Sequence, residues 1–211
     1  MIILFDLDGT LIDSTEAILE SFHNSFDLYK TAHPSNESIK ALIGYPLDVM
    51  YKELGVAQRD IREYVNTYKE HYQIISTEKT TLLENAFEAV ELASEIAEIG
   101  IVTTKTGKYS QVLMEHFGLM DKFQVLIGHE HVTKPKPDAE PILKALKSFD
   151  TKDKEVWMVG DTEMDLLSAK NAKVNSLGVL CGYGTEKSLK RYSELLFEDT
   201  LEAIKYLKSR K

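Results

Sequence analysis

The sequence predicts a doubly wound α/β domain, a parallel sheet with helices on both faces, interrupted by an inserted all-helical unit. Short, continuous apolar runs recur along the chain, and helical patterns separate the later ones. The long stretch between Phe5 and Ile99 reads as helices only. Strand alternating with helix is the signature of a doubly wound sheet, and a helical stretch that breaks the rhythm is an insert.

The first run, "IILF" at 2–5, has the unbroken apolar character of a strand buried on both faces. Similar runs stand at 99–104 (IGIVTT), 123–128 (FQVLIG), 155–161 (EVWMVGD) and 175–180 (NSLGVL). Helical patterns at 108–117, 138–147 and 163–171 lie between them. In the insert, 15–29 puts Ile18, Phe22, Phe26 and Tyr29 on one face, with Asp13 and Glu16 spaced as an N-terminal cap pair. Helices over 36–43 and 46–54 end at Gly44 and Gly55. A fourth, over 58–75, sets Ile61, Tyr64, Val65, Tyr68 and Tyr72 on a common side. The polar segment 76–84 then leads to an apolar helix at 85–95, which places the core domain at 1–14 and 83–211 and the insert at 15–82. The basic end, KYLKSRK, reads as the close of an amphipathic helix.

With 211 residues, 43% hydrophobic and 28% charged, the chain lies in the range of folded globular proteins. Its 25 Lys and Arg against 34 Asp and Glu give a net charge of -9, which repels a nucleic-acid backbone and argues against such a partner. A small phosphorylated metabolite remains compatible, because a metal or a local cluster of cations overrides the global field. The single Cys181 forms neither an internal disulfide nor a zinc cluster. No signal-peptide pattern or membrane-length apolar run occurs, so the expected location is the cytoplasm, with no membrane association.

Chemistry concentrates at the ends of the expected strands. Asp6 and Asp8 follow the first run, and residues two apart on a strand point to the same side. Two carboxylates crowded there repel each other, a conflict that a hard cation such as Mg²⁺ resolves. Taken alone, the pair could equally be turn residues, since Asp-Gly favours turns. Later segments tip the balance. "VGDTEMD" supplies Asp161 at another strand end, where a metal role is the better reading. It also supplies Asp165, whose place in the first turn of a helix suits the dipole as well. "VTTKTG" offers the Thr103 and Thr104 hydroxyls before a helix entry suited to phosphate oxygens, although threonines are ordinary strand and cap residues. In "VTKPKPD", prolines confine Lys134. Carboxylates, cation, hydroxyls and lysine together suit attack of an Asp on phosphorus and hydrolysis of the aspartyl phosphate.

The ordered segments FDLDGTLIDS, IVTTKT, KPKPD and VGDTEMD, with the helical insert after the first, resemble the haloacid dehalogenase superfamily, specifically its phosphatase branch. The resemblance spans essentially the whole chain and implies a Rossmann-like core. It implies that Asp6 is nucleophile and Mg²⁺ ligand, and that Asp8 is the acid and base, with its backbone carbonyl on the metal. By the same likeness Thr103 binds the phosphoryl group, Lys134 neutralises it and holds Asp6, Asp161 completes the metal ligands, and Asp165 supports them. The insert would be a cap that closes over substrate. Asp8 argues against true dehalogenation, because the dehalogenase branch lacks this second acid. The pattern is similar to that of phosphoglycolate phosphatases and related pyrophosphatases. Sugar-phosphate mutases usually carry Glu-Asp where Gly160-Asp161 stands. The expected activity is hydrolysis of a small, phosphoglycolate-like monoester, with a pyrophosphatase or a phosphosugar mutase as alternatives. A phospho-accepting signalling domain is a distant rival, since it has neither the Asp-x-Asp pattern nor the insert. In the insert, Tyr45 of "IGYPLD" is a candidate substrate contact and equally a packing aromatic, and His23 reads as packed or solvated.

Overall fold

A computed structural model describes residues 1–210; Lys211, the last of the basic run, lies outside the described residues. The core begins with β1 (Ile2–Phe5), then a tight loop and the two-residue β2 (Ile12–Asp13). Four helices follow: α1 (Thr15–Leu28), α2 (Asn36–Lys40), α3 (Leu47–Glu53) and α4 (Ile61–Ile75). The chain returns through β3 (Thr81–Leu82), α5 (Ala86–Ile96), β4 (Glu98–Val102), α6 (Gly107–His116) and β5 (Val125–Ile127). It continues with α7 (Glu140–Leu146), β6 (Val156–Gly160), α8 (Glu163–Ala172) and β7 (Asn175–Val179). Last come α9 (Glu186–Leu189), β8 (Leu196–Phe197) and α10 (Thr200–Ser209).

Six strands form one parallel sheet in the order β5-β4-β1-β6-β7-β8. All four residues of β1 are buried because the strand is covered on both faces. Ile3 and Phe5 join the face packed by α5, α6 and α10, through residues such as Val90, Leu113 and Ile204. Ile2 and Leu4 point the other way, toward Ile142 of α7 and Ala169 of α8. Alternation along one strand thus feeds two separate cores.

The helices α1 to α4 bury a third core of their own. Ile18, Phe22 and Phe26 of α1 face Ile61, Tyr64, Tyr68 and Tyr72 of α4, as the helical spacing requires. Phe22 is fully buried between the rings of Tyr51 and Tyr68, at centroid distances of 4.6 and 5.0 Å. The Tyr51 hydroxyl meets Ser25 Oγ at 2.7 Å, which satisfies both polar groups inside this core. The two chain crossings between this cap and the sheet domain run side by side, Ile12 opposite Leu82 and Asp13 opposite Thr81 in an antiparallel pair.

Some boundaries differ from the sequence reading. Ser14, not Asp13, is the N-cap of α1, and its side chain makes no cap hydrogen bond. It donates to Asp8 instead, while Asp13 Oδ1 accepts from the Thr15 N–H at 2.9 Å. Helix α7 starts at Glu140, because the Asp138 carboxylate accepts from the Glu140 N–H and forms a turn before it. Strand β8 and helix α9 were absent from the sequence expectation, since segments of two and four residues are too short to show a period. No helix among the described residues is long and apolar enough to cross a membrane.

Truncation of the central cap ring tests this packing. Phe22→Ala should destabilise the protein by about 3–5 kcal/mol in denaturant unfolding, the usual cost of removing a buried aromatic ring.

Candidate active site

The carboxyl ends of β1, β4 and β6 lie side by side, with Phe5 level with Ile101 and Val159. Residues just past these ends therefore converge on one point of the sheet edge, the usual place for a ligand in an open α/β fold. Asp6 follows β1, Thr103 follows β4, and Asp161 follows β6. Carboxylate oxygens of Asp6, Asp161 and Asp165 lie within 4.8 Å of one another, and all three residues are buried.

Each member is held by the local fold. Asp165 sits in the first turn of α8, where one of its oxygens accepts from the Thr162 N–H at 3.0 Å and from Thr162 Oγ1 at 2.7 Å. Asp161 accepts from Thr10 Oγ1 at 2.9 Å and from the Tyr183 N–H at 2.8 Å. The loop carrying Thr10 is itself tight, since the Leu7 carbonyl accepts from the N–H groups of Thr10, Leu11 and Ile12. Its Gly9 has φ +83°, and a Cβ there would stand 2.2 Å from Asp161 Oδ2. Only glycine fits that position, because a side chain would both strain the backbone and displace the acid.

The lysine among these acids is Lys136, and not Lys134 as the sequence reading expected. Lys136 is 3% exposed; its Nζ stands 2.9 Å from Asp6 Oδ1, pairs with Asp165 Oδ1, and donates to the Val102 carbonyl at 3.0 Å. Lys134 is exposed, and its backbone N–H donates to Glu140 Oε2 at 2.9 Å. The segment KPKPD contains two Lys-Pro steps, and local confinement by proline is the same argument for both. Only the path of the loop toward the β4 end decides which ammonium is buried.

Asp8 is expected on the metal through its backbone carbonyl, and its carboxylate turns away from the cluster. Lys105 Nζ donates to its two oxygens at 3.0 and 2.9 Å, and Ser14 Oγ donates to Oδ1. The acidic cluster is completed by Asp165 instead, which leaves Asp8 only its backbone carbonyl for a metal role. Lys105 is almost buried, and its Nζ lies 4.6 Å from the centroid of the Tyr72 ring. Burial opposes its charge, but Asp8 and Tyr72 outweigh that and raise its pKa above the ordinary lysine value. Sequence reasoning missed Lys105, although its place two residues after Thr103 was a usable signal. Thr103 is buried, with Oγ1 accepting from the Lys105 N–H at 3.2 Å. The Thr104 hydroxyl, expected on phosphate, donates across to the cap, to the Gly44 carbonyl at 3.0 Å.

Electrostatics identify what the cluster lacks. Three carboxylates against one ammonium leave an excess of two negative charges in a buried space. Burial raises the Asp6 pKa from 3.8 to about 6, partly countered by Lys136 and reinforced by Asp165 and Asp8. Burial likewise holds Asp161 well above the usual carboxylate range, with Asp165 and then Asp6 adding to the shift. Asp6 Oδ1 is buried with no neighbour of good hydrogen-bond geometry, its charge partner being Lys136 Nζ at 2.9 Å. Hard oxygen donors and an excess of two negative charges fit a hard divalent cation.

Between this edge and the cap lies a cavity of about 110 Å³, lined on the core side by Asp8, Lys105 and His129 and on the cap side by α4. The Tyr109 hydroxyl donates to the Lys69 carbonyl at 3.2 Å, so the cap is drawn onto the core beside the cavity. Tyr45 lines it as well, in keeping with a substrate contact, while His23 bonds to His33 and Asn36 on the outer side of the cap.

An acidic centre at the carboxyl edge of a doubly wound sheet, beneath a helical cap, marks an α/β protein with its candidate active site between sheet and cap. Residues 3–179 match the family model described as haloacid dehalogenase-like hydrolase, and the chain belongs to that family. It is 34% identical over 175 residues to pyrophosphatase PpaX of Halalkalibacterium halodurans, covering 82% of this chain and 80% of that protein. To pyrophosphatase PpaX of Bacillus velezensis it is 31% identical over 204 residues, covering 92% and 94%. The structure of a haloacid dehalogenase-like family hydrolase from Streptococcus pneumoniae superimposes with a TM-score of 0.87 at 25% identity, covering 98% of this chain and 97% of that one.

The exchange of lysines can be checked by stability alone. Lys136→Ala should cost about 3–5 kcal/mol, because it strips the cation from buried carboxylates, whereas Lys134→Ala should stay within about 0.5 kcal/mol. The raised Asp6 pKa has a definite sign as well. Without metal, a carboxylate that titrates at about 6 when folded and 3.8 when unfolded loses stability as pH rises through that window. The increase in Tm on adding Mg²⁺ to chelator-treated protein should therefore grow from about pH 4 to above pH 6.

Proposed function

We propose that the protein is a Mg²⁺-dependent phosphatase that hydrolyses a small phosphate monoester through an aspartyl phosphate on Asp6. The observation that carries this reading is the division of the acids. Asp6 sits in the charge-deficient cluster with Lys136, while Asp8 is held apart by Lys105 and Ser14 at the mouth of the cavity.

In this reading an oxygen of Asp6 attacks phosphorus, the bond from phosphorus to the leaving oxygen breaks, and Asp8 supplies the proton that makes the leaving group an alcohol. Asp8 then takes a proton from water, whose oxygen attacks the phosphorus and releases inorganic phosphate and the free Asp6 carboxylate. Lys136 neutralises charge on the phosphoryl oxygens and keeps Asp6 aimed, and Thr103 offers its hydroxyl to the same oxygens. Bound Mg²⁺, held by Asp6 and Asp161 with Asp165 in support and the Asp8 carbonyl, supplies further charge neutralisation. The cap excludes bulk water during the first step.

A second reading, hydrolysis of inorganic pyrophosphate, is favoured by the names of the two PpaX relatives. It uses the same residues and differs only in the leaving group.

Asp6→Asn should fold normally, with an unchanged far-ultraviolet spectrum, and release no phosphate from p-nitrophenyl phosphate with Mg²⁺, since the nucleophile is gone at nearly constant volume. Undiminished turnover by folded Asn variant would remove the proposal. Asp8→Asn should turn over more slowly and accumulate an acid-stable, hydroxylamine-sensitive phosphoenzyme.

A further inference from the structure

Building on the phosphatase reading, we infer that the leaving group is a small neutral polyol or sugar, and that inorganic pyrophosphate and carboxylate-bearing esters are poor substrates. The cavity opens on Asp8, the group that protonates the leaving oxygen, so the space beyond Asp8 is where the leaving group lies. Its size, polarity and charge then describe that group.

Size comes first. A protein cavity of about 150 Å³ holds a benzene molecule, so one of about 110 Å³ is on the scale of a fragment of a few carbon atoms. That suits a short polyol or sugar chain.

Charge is the second constraint. The carboxylates lining the cavity are Asp8 and Asp48, and the ammonium groups are Lys69 and Lys105, so these charges cancel. Lys105 is already engaged by both oxygens of Asp8. A second phosphate or a carboxylate would enter a space with no surplus positive charge and meet Asp48 as well, which disfavours an anionic leaving group.

The third constraint is hydrogen bonding. Tyr72 is 1% exposed, and its hydroxyl makes no hydrogen bond of good geometry, although the Lys105 ammonium interacts with it; the buried Nδ1 of His129 has no partner. Both residues line the cavity. Buried polar atoms without well-formed hydrogen bonds are exceptional in a folded protein, and two of them on residues that line one cavity are groups a ligand hydroxyl would pair with. Around them stand the rings of Tyr68 and Tyr109, surfaces that suit the C–H faces of a carbohydrate. Neutral hydroxyls on a short carbon chain satisfy all three constraints together.

The test compares kcat/KM of the Mg²⁺-loaded protein on glycerol phosphate, ribose 5-phosphate, phosphoglycolate, pyrophosphate and p-nitrophenyl phosphate. The polyol and sugar esters should exceed pyrophosphate and phosphoglycolate. Tyr72→Phe should lower kcat/KM on the hydroxylated esters by roughly 3- to 10-fold, the value of one hydrogen bond, and leave p-nitrophenyl phosphate nearly unchanged. In calorimetry, Mg²⁺-loaded Asp6→Asn should bind glycerol phosphate or ribose 5-phosphate more tightly than pyrophosphate. Preference for pyrophosphate or phosphoglycolate, or an equal loss on all substrates in Tyr72→Phe, would overturn this inference alone. Absence of phosphate release from every compound, p-nitrophenyl phosphate included, would remove the phosphatase reading and this inference with it.

Discussion

Burying Asp6, Asp161 and Asp165 beside a single ammonium, that of Lys136, imposes conditions on everything around the sheet edge. Ionised carboxylates are costly to desolvate, so each must be tethered by donors that the fold supplies. Thr10 and the Tyr183 N–H hold Asp161, Thr162 holds Asp165, and the close approach of the first loop requires glycine at position 9. The segments that carry these donors come from distant parts of the chain, and the parallel sheet is what brings them to one edge. Fold and charge cluster are in this sense one construction: the sheet alone would not need the donors, and the acids without the sheet would not meet.

A second ion pair, Lys105 with Asp8, borders the first and differs from it in balance. It is formally neutral, and the cavity beyond it is neutral too. The centre therefore passes from a charge deficit, suited to a metal and a phosphoryl group, to an even-handed aromatic chamber within a few residues of β1. The cap contributes most of that chamber through α4 and the segment from Ile43 to Met50, and Tyr68 and Tyr72, which pack its core, also line the cavity. Packing and recognition are shared by one helix face.

Much of this was legible in the sequence, and the reasons differ from segment to segment. The β1 run and the apolar stripe of α1 follow from periodicity, because burial on two faces or on one stripe leaves an unmistakable pattern. Asp6 and Asp161 were legible as strand-end acids for the same reason. Lys136 was not, since Lys134 and Lys136 both precede proline, and the three-dimensional course of a loop has no local period. Lys105 carried only the weak signal of standing two residues after Thr103, and its contact with Asp8, ninety-seven positions earlier in the chain, is what gives it a place in the site. Thr104 carried the right chemistry for phosphate but spends its hydroxyl on Gly44, a cap carbonyl whose proximity no sequence pattern encodes.

The paired crossings at β2 and β3 make the cap, topologically, the tip of a long hairpin. Asp13 and Thr81 are direct partners, so the chain enters and leaves the whole bundle at two adjacent backbone positions. The entropy of closing a loop grows only with the logarithm of its length, about 0.6 kcal/mol for each doubling. A bundle with a core of its own can hence be lengthened, trimmed or exchanged at this junction with little burden on the sheet beneath. The acid cluster belongs to the sheet and most of the chamber wall to the bundle, so a change of bundle would redirect selectivity while the reactive centre stayed in place.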